Sequence, residues 1–155
     1  MAVSNYQDII NQIEVALSQI EGVGNVHPYF RIVKDDAQIR EVYIDVDNTV
    51  NAWFISRTAI RDEQLTQYGN LVNWEVLIEG WLSVQDTKRS EIIFQETIDR
   101  IRDGFQPQTD LDDTLTKIEL TRPIQATEIG AGMLDVIYCH HCILMMEVQI
   151  LESSV

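Results

Sequence analysis

Basic side chains are scarce in this sequence, and none lies before Arg31 or after Arg122. The chain has 11 Lys and Arg residues against 25 Asp and Glu residues, which gives a net charge of −14 at pH 7. A protein that binds nucleic acid directly needs a basic patch to neutralise phosphates. The sequence therefore argues against direct nucleic-acid binding and predicts a strongly acidic, soluble domain.

Cysteine is also rare, and no long apolar run is present. The two cysteines, Cys139 and Cys142, lie in a segment with strand-like alternation, where their side chains point to opposite faces and cannot form a disulfide. This pattern predicts reduced thiols and a cytoplasm-like compartment. The longest uncharged apolar stretch, between Asp135 and Glu147, is interrupted by two histidines. We therefore expect neither a membrane span nor a signal peptide.

The rest of the composition is that of a folded protein. The 155 residues include 45% hydrophobic residues and three prolines. A chain of this length buries roughly 70% of its unfolded surface, so it can form a core without disulfides or a structural metal. We expect a single domain over residues 1–155.

Apolar residues recur at helical spacing in two segments. The first predicted helix covers about residues 5–21 and ends at Gly22. The second covers about residues 87–103, with Asp86 or Thr87 as its cap. The apolar stripe of this second helix is Phe94, Ile98, Ile101 and Phe105.

Alternating apolar and polar residues predict several strands. The strongest signal runs from Leu71 to Val84, and a second long strand region runs from Leu134 to Leu151. The Val26–Val33 segment contains Pro28 and predicts an edge strand or an extended arm, because proline is tolerated mainly at strand starts and edges. Shorter strands are predicted at residues 42–48, 51–61 and 117–122, and loops at residues 107–113 and around Gly130 and Gly132.

The order of these elements favours an α+β fold. A helix does not follow every strand, as it would in a doubly wound parallel sheet. We therefore predict a mainly antiparallel β-sheet with two α-helices packed on one face. At about 3.3 Å per residue the two long strands extend beyond helices of about 16 residues. Their uncovered apolar ends are expected to contact another subunit.

The Cys-His-His-Cys string at residues 139–142 contains the residue types that bind zinc. On a strand it places two ligands on each face, whereas a structural zinc site needs four converging ligands. His27 is the one other histidine, so we expect no metal site and interpret the string as packing residues. The segment 45–48 resembles the start of a calcium loop, but the glycine and glutamate that complete such a loop are missing.

The sequence contains no familiar catalytic motif. It has no nucleophile elbow, no phosphate-binding glycine loop and no zinc-protease helix. We therefore predict no catalytic residues and no cofactor. One alternative stays open, a small metal-dependent or acid–base enzyme that uses Asp45, Asp47 and the histidines.

Trp74 and Trp81 lie seven residues apart and so fall on opposite faces of one predicted strand. One of them must face away from the helices, where either a partner subunit or a loop of the same chain covers it. An edge strand with aromatic residues can also add to a neighbour's sheet. The predicted subunit-contact residues are Val26, Tyr29, Phe30, Trp53, Phe54 and Trp81.

The first helix runs through Ile-Glu-Gly-Val-Gly at 20–24 into Val-His-Pro-Tyr at 26–29. The last strand reads Tyr-Cys-His-His-Cys-Ile-Leu at 138–144 and ends in Glu-Val-Gln-Ile at 147–150. Together with the central long strand and the helix after it, this arrangement resembles the tail terminator (tail-completion) proteins and related neck proteins of tailed bacteriophages.

The resemblance implies a structural virion protein of the tail or neck, present in the host cytoplasm during assembly. Such a subunit forms a ring, expected to be hexameric, at the head-proximal end of the tail. The implied partners are further copies of the chain, the tail tube protein, the sheath where there is one, and the head–tail connector. DNA passes through the ring without specific binding.

An acidic ring lumen would repel DNA phosphates and prevent sticking. The predicted lumen or ring-edge residues are Glu96, Asp99, Asp103, Asp110, Asp112 and Asp113. The alternative for these residues is an ordinary solvated helix and loop. Two other functions also stay open, a head–tail connector or another neck or baseplate subunit, and an acidic adaptor that binds one partner without forming a ring.

Overall fold

The computed structural model describes residues 6–29, 41–42, 49–66, 69–105, 118–134 and 137–153. Its helices and strands confirm the predicted α+β fold. In chain order they are α1 (Tyr6–Ser18), β1 (Asn25–His27), β2 (Asn51–Thr66), β3 (Gly69–Ser83), a 3-10 turn (Asp86–Lys88), α2 (Ser90–Gly104), β4 (Ile118–Leu120), β5 (Gln125–Leu134) and β6 (Ile137–Ser153).

These strands form one sheet in the order β1-β2-β3-β6-β4, with β5 also paired to β6. β1 pairs with β2 in parallel, and each of the other pairings among the described strands is antiparallel. β3 pairs along one side of β6, from Ser83↔Cys139 to Gly69↔Ser153, while β5 and β4 pair along the other. The predicted mainly antiparallel sheet is therefore confirmed, and β6 has paired strands on both of its sides.

Both helices pack on the same face of the sheet, as predicted. The even-numbered residues of β3 and β6 point to this side, because successive strand residues alternate between faces. We call this side the helix face and the other side the open face. The buried core on the helix face includes Ile9, Ile13 and Leu17 of α1, Val72, Val76 and Ile78 of β3, Phe94, Ile98 and Ile101 of α2, Phe105, and Cys142, Leu144, Met146, Val148 and Ile150 of β6.

α1 occupies the body of the helix predicted at residues 5–21 and ends at Ser18. A turn follows, in which Ile20 N–H donates to Leu17 O and Val23 N–H donates to Ile20 O. Gly22 has φ +96°, a left-handed conformation that glycine adopts without steric cost. The predicted stop at this glycine is therefore the end of a turn rather than the last helical residue.

α2 begins later than predicted, and the predicted caps are wrong. Asp86 and Thr87 lie in the 3-10 turn, and Arg89, with φ 55°, separates that turn from α2. The hydroxyl of Ser90 accepts a hydrogen bond from the backbone N–H of Gln85 at 2.8 Å. The 3-10 turn and α2 therefore meet at Arg89, which has a left-handed backbone. The predicted apolar stripe of α2 is confirmed, because its residues are buried.

The two long predicted strands are confirmed as β3 and β6, although β6 begins only at Ile137. β2 is longer than the predicted 51–61 segment, because it pairs with β3 from Asn51↔Leu82 to Thr66↔Gly69. The segment predicted as an edge strand contains β1, which lies at the edge of the sheet.

The loop predicted around Gly130 and Gly132 is wrong, since both glycines lie in β5. The register of β5 with β6 pairs them with His141 and Cys139, respectively. Val42, the first residue of the strand predicted at 42–48, has a helical backbone. The strand predicted at 117–122 is observed only as β4. Residues 43–48 and the predicted loop at 107–113 lie outside the described residues.

Candidate assembly surface

β5 is the most exposed of the described strands. Every residue from Gln125 to Ala131 is exposed, and only Gly132 and Leu134 are partly covered. β6 pairs with one side of β5, and no described strand pairs with the other. A strand edge in this state presents backbone N–H and C=O groups to any extended segment that approaches it.

β5 also lacks the features that usually protect such an edge. Its ten residues include one charged side chain, Glu128, and neither lysine nor proline. The ladder with β6 has one irregularity, a bulge at Thr127, whose hydroxyl donates to the backbone oxygen of Ile143 at 3.3 Å. From Glu128 to Leu134 the strand pairs regularly. A low-charge, regular edge therefore stands out on a chain of net charge −14.

Large apolar side chains accompany this edge on the helix face. Ile129 and Met133 of β5 and Tyr138 of β6 are all exposed. Their registers, Ile129↔Cys142 and Met133↔Tyr138, place them on the same face as the core. A cavity of about 350 Å³ lies between this strip and α2, lined in part by Ile129, Tyr138 and Phe94, with the acids Asp86 and Glu91 beside them.

Within the described residues, β2 provides a second unpaired strand edge, at the other end of the strand order. β1 pairs with β2 only from Ala52 to Phe54, and no described strand pairs with β2 on that side beyond Phe54. We call residues 55–62 of this strand the β2 open edge. It contains Ile60, which is 51% exposed and lies on the helix face because it pairs with the buried Trp74.

The β2 open edge differs from β5 in its charge and regularity. Its two arginines are Arg57, whose guanidinium lies over the Trp74 ring at 4.5 Å, and Arg61, which contacts Glu75 at 3.3 Å. Bulges occur at Thr58 and after Asp62. The regular part of this edge is therefore short. Its two arginines outnumber its one acid, Asp62, whereas the one charged residue of β5 is acidic.

The open face bears a shallow apolar depression between β3, β6 and β5. Leu77, Ile143 and Met145 are half-buried there, and they help to line a cavity of about 420 Å³. Neither α1 nor α2 packs on this face. Within the described residues, these apolar side chains are surrounded by their neighbours in the sheet and by polar groups at the rim.

An ion pair between Arg122 and Glu147 forms part of that rim. The hydrogen bond from Arg122 lowers the pKa of Glu147, and a hydrogen bond from the hydroxyl of Thr121, 2.9 Å from Glu147, acts in the same direction. Burial opposes both effects. Glu147 is thus held as a carboxylate, and the pair fixes the residues before β5 onto β6.

Trp74 lies on the helix face and Trp81 on the open face, so the predicted opposite orientation of this pair is confirmed, and the same chain partly buries Trp81. Trp81 packs against a small cluster of Val42, Ala52 and Phe54, and its ring centroid lies 4.1 Å from that of His141. The indole N–H donates to Glu79 at 3.0 Å, and His141 Nε2 lies 3.0 Å from the same carboxylate oxygen. The same chain therefore covers part of this tryptophan, and covering by a partner subunit stays a prediction.

The predicted subunit-contact residues do not form one exposed surface. Trp53 and Phe54 are 1% and 2% exposed within the single chain, which removes them from any contact surface. Trp53 lies on the helix face against Phe94, and Phe54 lies on the open face, because neighbouring strand residues alternate. Val26 packs partly buried against the core, and Tyr29 is exposed. Phe30 lies outside the described residues.

The predicted acidic residues fall into two groups. Glu96, Asp99 and Asp103 are exposed on α2, and Glu96 forms an ion pair with Arg100 at 3.7 Å. These three side chains lie on the solvent side of the helix, opposite its buried stripe. Their role in a ring lumen stays a prediction. The other three, Asp110, Asp112 and Asp113, lie outside the described residues.

The two cysteines are buried and free. Burial raises the pKa of Cys139 to about 11 and that of Cys142 to about 12. Both are therefore protonated thiols at neutral pH, with little nucleophilic character. Cys142 belongs to the core on the helix face, and Cys139 lies on the open face, which confirms the predicted opposite orientation.

Ser90 and His140 form a contact that the sequence did not predict. Ser90 Oγ lies 2.8 Å from His140 Nε2, and Phe94 stacks on the imidazole with ring centroids 5.7 Å apart. A hydroxyl beside an imidazole can serve as a nucleophile and base. Ser90, however, is buried, and its oxygen already accepts the N–H of Gln85. This contact therefore joins the start of α2 to β6.

In the described part of the chain no three His, Cys, Asp or Glu side chains are grouped so that they could hold a metal ion. No helix among the described residues is long and apolar enough to cross a membrane. Comparison with known proteins gives no family: no protein-family model matches the chain, and no curated protein matches it significantly.

Proposed function

We propose that this chain is a structural subunit of a tailed bacteriophage, a tail terminator that forms a ring at the head-proximal end of the tail tube and joins the tail to the head connector. The expected ring is a hexamer. The proposal begins from the resemblance of the sequence to tail terminator and neck proteins.

One structural observation carries the proposal: at both ends of the strand order, the sheet has a strand edge with which no described strand pairs. β5 is exposed along most of its length, and the β2 open edge lies at the far side of the same sheet. A monomer rarely leaves a long, low-charge edge uncovered. Two different edges on opposite sides suit a head-to-tail contact, and head-to-tail contacts generate rings when the rotation closes.

The charge of the chain supports the same proposal. Its net charge of −14 disfavours binding to DNA, which a channel for passing DNA must avoid. Glu96, Asp99 and Asp103 lie exposed on α2, where they can face a lumen or a ring edge.

The proposal is tested by mixing the purified protein with the tube protein of the phage that encodes it. We expect rings by negative-stain electron microscopy, and we expect the rings at one end of tubes that stop growing after addition. An unrelated acidic protein of similar size and charge is the control and should leave tube length unchanged. Tubes that grow to the same length with this protein as with the control would contradict the proposal.

A further inference from the structure

We propose that β5 of one subunit pairs with the β2 open edge, residues 55–62, of the next copy of this chain, so that one sheet continues from subunit to subunit. The inference deepens the proposed function and rests on it for the closure of the contacts into a ring. The occupant of the β5 edge is thus a second copy, presenting a different edge of the same sheet.

Strand directions make this pairing antiparallel. β2 runs antiparallel to β3, β3 to β6, and β6 to β5, so β5 and β2 of one subunit run in opposite directions. When a second copy is placed beside β5 with its helices on the same side, its β2 is antiparallel to β5. The continued sheet then keeps the pairing type that predominates within each subunit.

The same placement brings together the exposed apolar side chains of the two edges. Ile129 and Met133 of β5 lie on the helix face, and so does Ile60 of the β2 open edge. All three are exposed in the single chain. Cross-strand neighbours on one face pack against each other, so the contact buries apolar groups that each free subunit leaves in water.

The charges of the two edges are complementary. Glu128, the one charged residue of β5, pairs with Ile143 and lies on the open face. Arg61 of the β2 open edge pairs with Asn73 and lies on the open face too. Two chains of net charge −14 repel each other overall, and a contact between the low-charge strand and an arginine-bearing edge reduces that repulsion.

Pairing of β5 with β5 of a second copy is the main competing geometry. It would leave the β2 open edge unused, and a two-fold contact of one strand with itself ends at a dimer. It would also bring no arginine opposite Glu128 from within β5. Pairing of β5 with β2 requires the β2 open edge, whereas pairing of β5 with itself does not. A substitution at the β2 open edge therefore distinguishes the two geometries.

The experiment places a lysine on each edge, because charged side chains on edge strands oppose pairing. Ile129→Lys blocks β5, and its control is Ile93→Lys on α2; these isoleucines are 43% and 44% exposed. Ile60→Lys blocks the β2 open edge, and its control is Ile92→Lys on α2; both isoleucines are 51% exposed. Each pair is matched in chemistry, exposure and charge change. Circular dichroism and urea unfolding establish that all four variants fold.

Self-association is measured by sedimentation velocity over a wide range of protein concentrations. We expect Ile129→Lys and Ile60→Lys each to weaken association at least tenfold, while the two α2 variants behave like the unmodified chain. Ile129→Lys retains an intact β2 and Ile60→Lys an intact β5. A mixture of these two variants should therefore form a one-to-one pair that neither forms alone, and no larger species.

Three results would overturn the inference. If Ile60→Lys associates like the unmodified chain and Ile129→Lys does not, β5 pairs with itself. If both variants still form rings, the subunits join through another surface. A chain that stays monomeric at every concentration and also on tail tubes would overturn the inference. The tube-length assay then decides the proposed function separately.

Discussion

β3 and β5 flank the same strand, β6, and yet their surroundings differ completely. The inward residues of β3 from Val72 to Ile78 are buried under both helices, whereas β5 is exposed from Gln125 to Ala131. Both strands are antiparallel to β6 and both contain isoleucine and glycine. β3, however, pairs with β2 and β6 and belongs to the core, whereas β5 pairs with β6 alone among the described strands. Hydrogen bonds to β6 hold a strand in the sheet. They do not bury its side chains, which requires a second layer such as the helices packed on that face.

The largest contrast is expected for isoleucines on the helix face of the two strands. Ile78 of β3 is fully buried, so Ile78→Ala should lower the free energy of unfolding by about 2 to 5 kcal/mol through lost burial and a cavity. The same change at Ile129 of β5 should cost about 1 kcal/mol or less. Urea unfolding of the monomer measures both. Similar losses at the two positions would mean that β5 is covered in solution.

A second contrast uses two glycines that pair with neighbouring residues of β6. A Cβ at Gly80 of β3 would overlap the indole ring of Trp53, whereas a Cβ at Gly130 of β5 would meet nothing within 4 Å. Gly80→Ala should therefore destabilise the fold by about 1 to 3 kcal/mol, since the packed tryptophan must move. Gly130→Ala should change stability by about 0.5 kcal/mol at most. Thermal unfolding checks the pair, and equal melting temperatures would refute the assigned packing.

The smallest effect is expected at the rim of the open face, where Arg122 holds Glu147. Arg122→Gln should lower the free energy of unfolding at neutral pH by about 1 kcal/mol or less, because the arginine is exposed. The folded-state pKa of Glu147 is lowered, so its stabilising contribution is present above the unfolded pKa. That contribution disappears as the pH falls through the lower, folded value.

The difference in free energy of unfolding between the unmodified chain and Arg122→Gln should therefore shrink in acid, as the pH falls below the ordinary pKa of glutamate, about 4. Urea unfolding of both chains at a series of pH values measures this difference. Arg100→Gln, which breaks the longer ion pair of 3.7 Å on α2, is the matched control. A difference that stays constant from neutral to strongly acidic pH would show that Glu147 does not carry the effect.

Much of the fold could be predicted because β3, β6 and the helices have strong periodicity. The even-numbered apolar residues of β3 and the stripe of α2 follow directly from side-chain geometry. β5 could not be recognised in the same way. Its Gly130 and Gly132 favour turns locally, and only the pairing with β6 makes the segment a strand. The start of α2 was missed because the left-handed residue Arg89 gives no sequence signal.

The candidate surface was harder to predict than the fold. The aromatic side chains of Trp53 and Phe54 predict subunit contacts. The alternation of side chains along β2 places these two residues on opposite faces, but it does not show which parts of the chain cover each face. Trp53 fills the space above Gly80 and Phe54 packs in the small cluster on the open face. The exposed strip at Ile129, Met133 and Tyr138 has little aromatic character. It becomes visible only when the limits of the helices on the sheet are known.

The place of β6 in the chain has a consequence for biosynthesis. This strand follows all the other described strands in sequence. It pairs with β5, which directly precedes it, and also with β3, which is far from it in the chain. Until β6 leaves the ribosome, the apolar side of β3 has no neighbour on one flank, and the helices have only part of a sheet to pack on. Such distant pairings delay folding. The nascent subunit should therefore depend on chaperone protection until its last described strand has been made.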